Sequence, residues 1–193
     1  MAAQGDNRDK GGGSIRADAG DPRAAIDAPT PDCTTAPLDF LFGEHLRQRQ
    51  FAKVLTLIAD GVINRKTIAD AISFIKTDLA LHILDEELSF FPGLRASCEA
   101  DDKIDEILEI LAKEHREDET GSEVLIEILQ RMTAGAAPSE DERALLRDFS
   151  DRLRHHLALE NGVLLPIART RMNAETLRAV GESMAARRAS GSR

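Results

Sequence analysis

Two stretches of the sequence, HILDEELSFFP at residues 82–92 and HLALENGVLLP at residues 156–166, repeat one pattern of histidine, glutamate and proline. In each stretch the glutamate stands four positions after the histidine, and the proline stands ten positions after it. Residues four apart lie one turn above each other on the same face of an α-helix, so each His–Glu pair points in one direction. The repeat therefore predicts two helical halves that share a plan.

The composition of the 193-residue chain favours helix, because Ala, Leu, Ile, Glu and Arg dominate its middle while Gly and Pro are sparse there. A formal net charge of -9 argues against a nucleic-acid-binding surface, which needs clustered Lys and Arg. No apolar run approaches the roughly 18 residues of a membrane span, and the first residues lack the apolar segment of a secretory signal. We therefore expect a cytoplasmic protein without a nucleic-acid or membrane partner, whose two cysteines are reduced.

Apolar periodicity and capping signals predict four long helices. We expect Pro92 to end the second helix and Pro166 to end or kink the fourth. The predicted helices span about residues 37–60, 65–91, 101–132 and 140–170. The short connections at residues 61–64 and 133–138 require antiparallel neighbours. The expected fold is therefore all-α, an antiparallel up-down-up-down four-helix bundle.

The two ends of the chain differ from this bundle, which we place at residues 37–171. Residues 1–36 are rich in Gly, Ala, Asp and Pro and lack apolar periodicity, so we expect a disordered, flexible N-terminal tail. Residues 172–193 are expected to form a short helix, capped by Asn173, and a flexible C-terminal tail.

The height of the histidines along the predicted bundle gives the strongest indication of a metal site. Four of the five histidines fall on apolar, core-facing stripes, one on each helix, and each lies 16 to 18 residues from the nearest hairpin loop. Since every helical residue rises about 1.5 Å, the four imidazoles should share one layer. Burying the accompanying glutamates is costly unless they are paired or bind a metal ion. A dinuclear metal site explains this layer economically.

Simpler interpretations exist for each residue taken alone. A single histidine on an apolar stripe is usually a hydrogen-bonded core residue, and a His–Glu pair four apart is often only an ion pair along the helix. A metal-free structural bundle would follow from either. Four histidines at one level, two of them with a glutamate one turn later, favour the metal site.

Several polar residues beside the stripes need separate interpretation. His155 lies one residue off its stripe and is expected to flank the site. Glu44 and Glu87 also adjoin the stripes, and we expect them to be solvated, with a hydrogen bond to a ligand imidazole as the lesser alternative. Glu119 lies on the stripe one turn beyond His115, either as a metal ligand or as a hydrogen-bond acceptor.

The order H, HxxxE, H, HxxxE, with one element in each helix, resembles the hemerythrin-like, or HHE cation-binding, domains. The resemblance covers about residues 38–170. The matching positions are His45, His82 with Glu86, His115, and His156 with Glu160.

The resemblance implies a four-helix bundle that holds a non-haem di-iron centre. Glu86 and Glu160 would bridge two iron ions, which would also share an oxo or hydroxo bridge. By analogy, His45 and His82 would bind one iron, and His115 and His156 the other. Open iron positions would accept a small ligand such as dioxygen, nitric oxide or peroxide.

The resemblance leaves two classes of function open. The first is a protein that binds or senses O2, NO or iron; the alternative is an enzyme that acts on peroxide or NO, or repairs iron–sulfur clusters. Oxygen-carrying hemerythrins have a fifth histidine where this chain has Glu119, and an aspartate where it has Asn161. A site with fewer imidazoles and more carboxylates favours ferric iron, because anionic oxygen donors stabilise the harder ion.

Overall fold

Five helices make up most of the structure, a computed structural model that describes residues 30–62 and 64–191. They are α1 (Pro37–Ala59), α2 (residues 65–97), α3 (Ile104–Thr133), α4 (residues 140–171) and α5 (Ala174–Gly191). No strand occurs in the described part of the chain, so the predicted all-α class is confirmed. No helix found there combines the length and the apolar character needed to cross a membrane.

Capping contacts confirm two of the predicted helix starts, those after Asn64 and Ser139. Asn64 accepts a hydrogen bond from the Thr67 backbone N–H at 3.0 Å at the start of α2. At the start of α4, Ser139 and Glu142 form a reciprocal capping box, with distances of 3.2 and 2.8 Å. Such caps satisfy backbone N–H groups that have no partner within the helix. The sequence signals therefore place these two starts correctly.

Pro92 does not end α2, which continues to Ser97, so that prediction was wrong. A proline lacks the N–H of an α-helical bond and crowds the carbonyl four residues before it. The preceding turn, Glu86–Phe90, is a π-helix, in which the Phe91 N–H bonds to the carbonyl of Glu86, five residues back. The wider turn lets the helix pass the proline without breaking.

Helix α4 repeats this arrangement and continues past Pro166 to Arg171. Its π-turn is Glu160–Leu164, and the Leu165 N–H bonds to the carbonyl of Glu160. Both π-turns therefore begin at the glutamates of the repeated sequence pattern. A further π-turn occupies Ile75–Leu79 in α2.

Helices α1 to α4 surround a core that is divided into two apolar clusters. Helix α1 packs against α2 and α4, and α3 packs against the same two helices. One cluster contains Phe51, Phe149 and their neighbours, and the other contains Leu41, Phe90 and theirs. The histidine level of each helix lies between its contributions to the two clusters. Apolar side chains therefore seal that level from above and below.

Helix α5 follows α4 after a short break and packs on α1 and α2. Asn173 caps it by accepting the Thr176 backbone N–H at 2.9 Å. The helix has 18 residues, more than the short helix expected for this segment, and Met184 is fully buried. Any side chain at Gly181 would lie 2.4 Å from the carbonyl oxygen of Cys33, so the turn at residues 33–35 packs directly on this helix. Residues 1–29, most of the predicted N-terminal tail, lie outside the described residues.

Candidate metal centre

Six predicted site residues meet in one buried layer, here called the His–Glu layer. Its members are His45, His82, Glu86, His115, His156 and Glu160, each at most 4% exposed. They form two groups that share both glutamates, and within each group one candidate ligand atom per residue lies within 4.8 Å of every other. Group A is His45, His82, Glu86 and Glu160; group B is Glu86, His115, His156 and Glu160.

The carboxylates of the layer each face both groups. Glu86 lies 3.5 Å from Nε2 of His45, 3.4 Å from that of His82 and 3.3 Å from that of His115. Glu160 lies 3.4 Å from Nε2 of His45 and 3.1 Å from that of His156. Carboxylates in such positions suit a bridge between two cations.

Several polar atoms of the layer are buried without a hydrogen-bond partner. They include all four carboxylate oxygens of Glu86 and Glu160, Nε2 of His45 and both ring nitrogens of His82. Unpaired buried oxygen and nitrogen atoms cost folding free energy unless another group satisfies them. Imidazole nitrogens with carboxylate oxygens are the donor set that first-row transition metals accept, so the residues fit a pair of such ions.

The outward nitrogen of each histidine, Nδ1, faces an acceptor from a neighbouring helix. The Nδ1 partners are Asn161 for His45 at 2.9 Å, Glu44 for His82 at 3.6 Å, Glu87 for His115 at 3.0 Å, and Glu114 for His156 at 2.8 Å. A metal-binding histidine commonly donates its other N–H in this way, which orients the ring. The three acceptors at hydrogen-bond distance therefore direct Nε2 of His45, His115 and His156 into the layer, whereas the 3.6 Å between Glu44 and His82 exceeds a hydrogen bond.

The sequence predicts this ring of acceptors only in part. We expect Glu44 and Glu87 to be solvated, but Glu44 is buried. Both carboxylates face imidazoles, which corresponds to the alternative stated for them above. The sequence-based predictions do not identify Glu114 and Asn161 as partners of the histidines. Each of the four adjoins a residue of the layer in sequence, and that adjacency is the signal that was available.

The comparisons with known proteins agree with this geometry. The hemerythrin HHE cation binding domain matches residues 36–168, well over half of the chain. The chain belongs to this family. An uncharacterized protein of Haemophilus influenzae is 26% identical over 162 residues, which cover 79% of this chain and 90% of that protein. No solved structure matches the chain significantly.

Charges within the layer of this HHE domain stabilise one another. Burial lowers the pKa of an imidazole, yet the charge of Glu160 and the contact with Glu114 raise the pKa of His156 to about 11. Burial acts in the same direction on His45 and His115, but neighbouring carboxylates outweigh it. Glu160 and Glu86 raise the pKa of His45, and Glu86 raises the pKa of His115. Burial also favours protonated Glu86, but the surrounding imidazoles hold its pKa well below the usual value. Without metal, these contacts therefore favour the ionised form of Glu86 and the protonated forms of His45, His115 and His156.

Metal binding to the HHE domain should release protons, and the affinity should rise with pH. Metal ions bind neutral imidazole, so they must displace protons held by histidines whose folded pKa is raised. Lowering the pH refills these sites and competes with the metal. Calorimetric titration in buffers of different ionisation enthalpy measures the protons released. An affinity that is equal at about pH 6 and about pH 8 would contradict this expectation.

Glu119, the seventh predicted site residue, is exposed and belongs to neither group. The buried positions of α3 run through Leu111, His115, Asp118 and Leu125, in steps of four, three and seven residues. The step after His115 is three residues, so the stripe passes through Asp118 instead of Glu119. Asp118 is buried and lies 3.4 Å from Arg152. Sequence alone could not distinguish the two steps.

A small cavity adjoins the outer side of His156. Its volume is about 160 Å³. The lining residues are Glu114, Glu117, Asp118, Arg152, His155 and His156. His155 is exposed and lies outside both groups, in agreement with its expected flanking position. Because His156 lines it, the cavity borders the edge of the His–Glu layer.

Proposed function

We propose that this HHE domain holds a non-haem di-iron centre and uses it to bind or sense a small diatomic ligand, O2 or NO. The observation that carries the proposal is the pair of groups with two shared glutamates. In this proposal, Glu86 and Glu160 bridge the two ions, His45 and His82 serve one ion, and His115 and His156 serve the other. The proposed antiparallel, up-down-up-down order of α1 to α4 is supported by the common level of the four imidazoles.

The surroundings of the layer support a small ligand over a large polar substrate. Apolar side chains cover the layer above and below, with Phe90 and Phe149 both at most 2% exposed. The cavity beside His156 has a volume of about 160 Å³, enough for a few small molecules. When bound, the iron pair would supply open coordination positions and a reversible redox change. The protein itself supplies the donor atoms, their orientation and the exclusion of bulk water.

Iron analysis after anaerobic reconstitution tests the first part of the proposal. We expect about two iron ions per chain, because the described donors form two groups. Fewer than about one iron per chain would contradict the di-iron centre. Zinc or manganese loading under the same conditions compares iron with other ions that accept nitrogen and oxygen donors.

The visible spectrum of the reduced, iron-loaded protein tests the second part. We expect a band that appears with O2 or NO and reverses when the gas is removed under vacuum. Multiple turnover of peroxide or NO would instead identify the alternative function, an enzyme that uses the same residues. The metal-free protein serves as the control and should show neither response.

A further inference from the structure

The Nδ1 partners of the four histidines differ between the two groups. In group B, both histidines face carboxylates at hydrogen-bond distance, His115 with Glu87 at 3.0 Å and His156 with Glu114 at 2.8 Å. In group A, His45 faces the neutral amide oxygen of Asn161 at 2.9 Å. The remaining pair, His82 and Glu44, is separated by 3.6 Å, beyond an ordinary hydrogen bond.

Arginines engage the carboxylate that faces His82. Arg47 lies 3.1 Å from one oxygen of Glu44, and Arg188 of α5 lies 3.2 Å from the other. The oxygen that contacts Arg188 is the one that faces His82. Arg188 therefore competes with His82 for the same acceptor atom.

The carboxylates behind group B, Glu87 and Glu114, differ from Glu44 in the charges that surround them. In the described part of the chain, the ion pairs of Glu87 and Glu114 are with histidines alone. Asp118 adds a further buried acidic group on the same side, with Arg152 as its cation. The surroundings of group B therefore carry more negative charge than those of group A.

These differences change how strongly each imidazole donates to a metal ion. A carboxylate that accepts the Nδ1–H proton raises the electron density on Nε2 and strengthens the metal bond. A neutral amide oxygen raises the electron density on Nε2 less, and so does a carboxylate that is already paired with guanidinium groups. Loss of such an outer partner typically costs about 10- to 100-fold in metal affinity.

We infer that the two metal positions have unequal affinities: group B fills first and tightly, and group A fills second and weakly. This inference rests on the proposed function. Asn161 and Arg188 set the weaker affinity of group A, Asn161 by direct contact with His45 and Arg188 through Glu44. Arg188 is thus a positioning residue, and the docking of α5 tunes the second metal position. The second ion then binds only when free metal is abundant.

Anaerobic calorimetric titration with Fe²⁺ tests the inference on the full chain. The unmodified protein should show two steps of one ion each, separated by at least about 10-fold in affinity. Glu114→Gln should weaken the first step by about 10- to 100-fold, since it removes the carboxylate behind His156. Glu44→Gln is the matched change in group A and should alter either step by less than about threefold, because its carboxylate is already engaged by arginines.

Two gain-of-affinity variants test the inference in the opposite direction. Asn161→Asp should strengthen the second step by about 10-fold, because it places a carboxylate behind His45. Arg188→Gln should also strengthen the second step, because it releases the Glu44 oxygen for His82. Arg187→Gln is its control, since Arg187 and Arg188 both contact Asp85 but Glu44 is paired with Arg188.

The outcomes separate the inference from the function on which it rests. Two ions bound with equal affinity, or Glu44→Gln and Glu114→Gln having equal effects, would overturn the inference and leave the di-iron proposal intact. A second step that weakens in Asn161→Asp would overturn it as well. Failure of the unmodified protein to bind any Fe²⁺ would overturn the proposed function too.

Discussion

Replacing either Glu86 or Glu160 by alanine should reduce the iron content from two ions per chain to one or none. Each carboxylate belongs to both groups, so its loss removes a donor from both metal positions. The remaining imidazoles would then hold two cations with a single bridging carboxylate and less compensating charge. Metal analysis after anaerobic reconstitution and desalting measures this effect directly.

The matched control is His155→Ala. His155 adjoins His156 in sequence but is exposed and belongs to neither group. Its replacement should leave the iron content unchanged, with the same elution volume and helix content as the unmodified protein. Loss of iron in His155→Ala, or two ions retained in Glu86→Ala, would show that the His–Glu layer is not the metal site.

Replacing Arg187 and Arg188 together by alanine should destabilise the protein by about 3 kcal/mol. Asp85 is fully buried, and these two arginines of α5 are its ion-pair partners among the described residues. Without them its carboxylate remains buried and uncompensated, which is the costly way to break a buried ion pair. We place the cost at the lower end of the usual range because both arginines are partly exposed. Thermal denaturation of the metal-free protein should show a lower midpoint, by about 6–12 °C.

Two controls define the origin of that loss. Adding Asp85→Asn to the double arginine variant should recover much of the lost stability, because the buried negative charge is gone. Arg169→Ala breaks an exposed pair with Asp39 and should cost less than about 1 kcal/mol. Equal destabilisation by Arg169→Ala and by the double variant would show that burial of Asp85 is not the cause.

The level of the histidines could be predicted because it depends on local geometry alone. Helical rise, the capping residues Asn64 and Ser139, and the short hairpin connections were sufficient to align the four imidazoles. The positions of Glu86 and Glu160 followed from their spacing to His82 and His156. Each of these relations acts within one helix or across one short loop.

Other features required the packed structure. A proline ends many helices. Here a π-turn that starts at Glu86 lets α2 continue past Pro92. The difference between Glu119 and Asp118 is a rotation of one residue, which depends on how α3 packs against its neighbours. The docked position of α5 includes ion pairs of Arg187 and Arg188 with Asp85, an acidic residue of α2 that is distant in sequence.

The sequence by itself determined the helical class, the layer of four histidines and the two glutamates that accompany them, because periodicity and spacing act locally along a helix. Only the tertiary structure decided which neighbouring helix supplies each Nδ1 acceptor, and thus that His82 shares Glu44 with Arg188 of α5. Those contacts join residues up to 144 positions apart in the sequence. They arise when the helices pack and bring the side chains of different helices into contact.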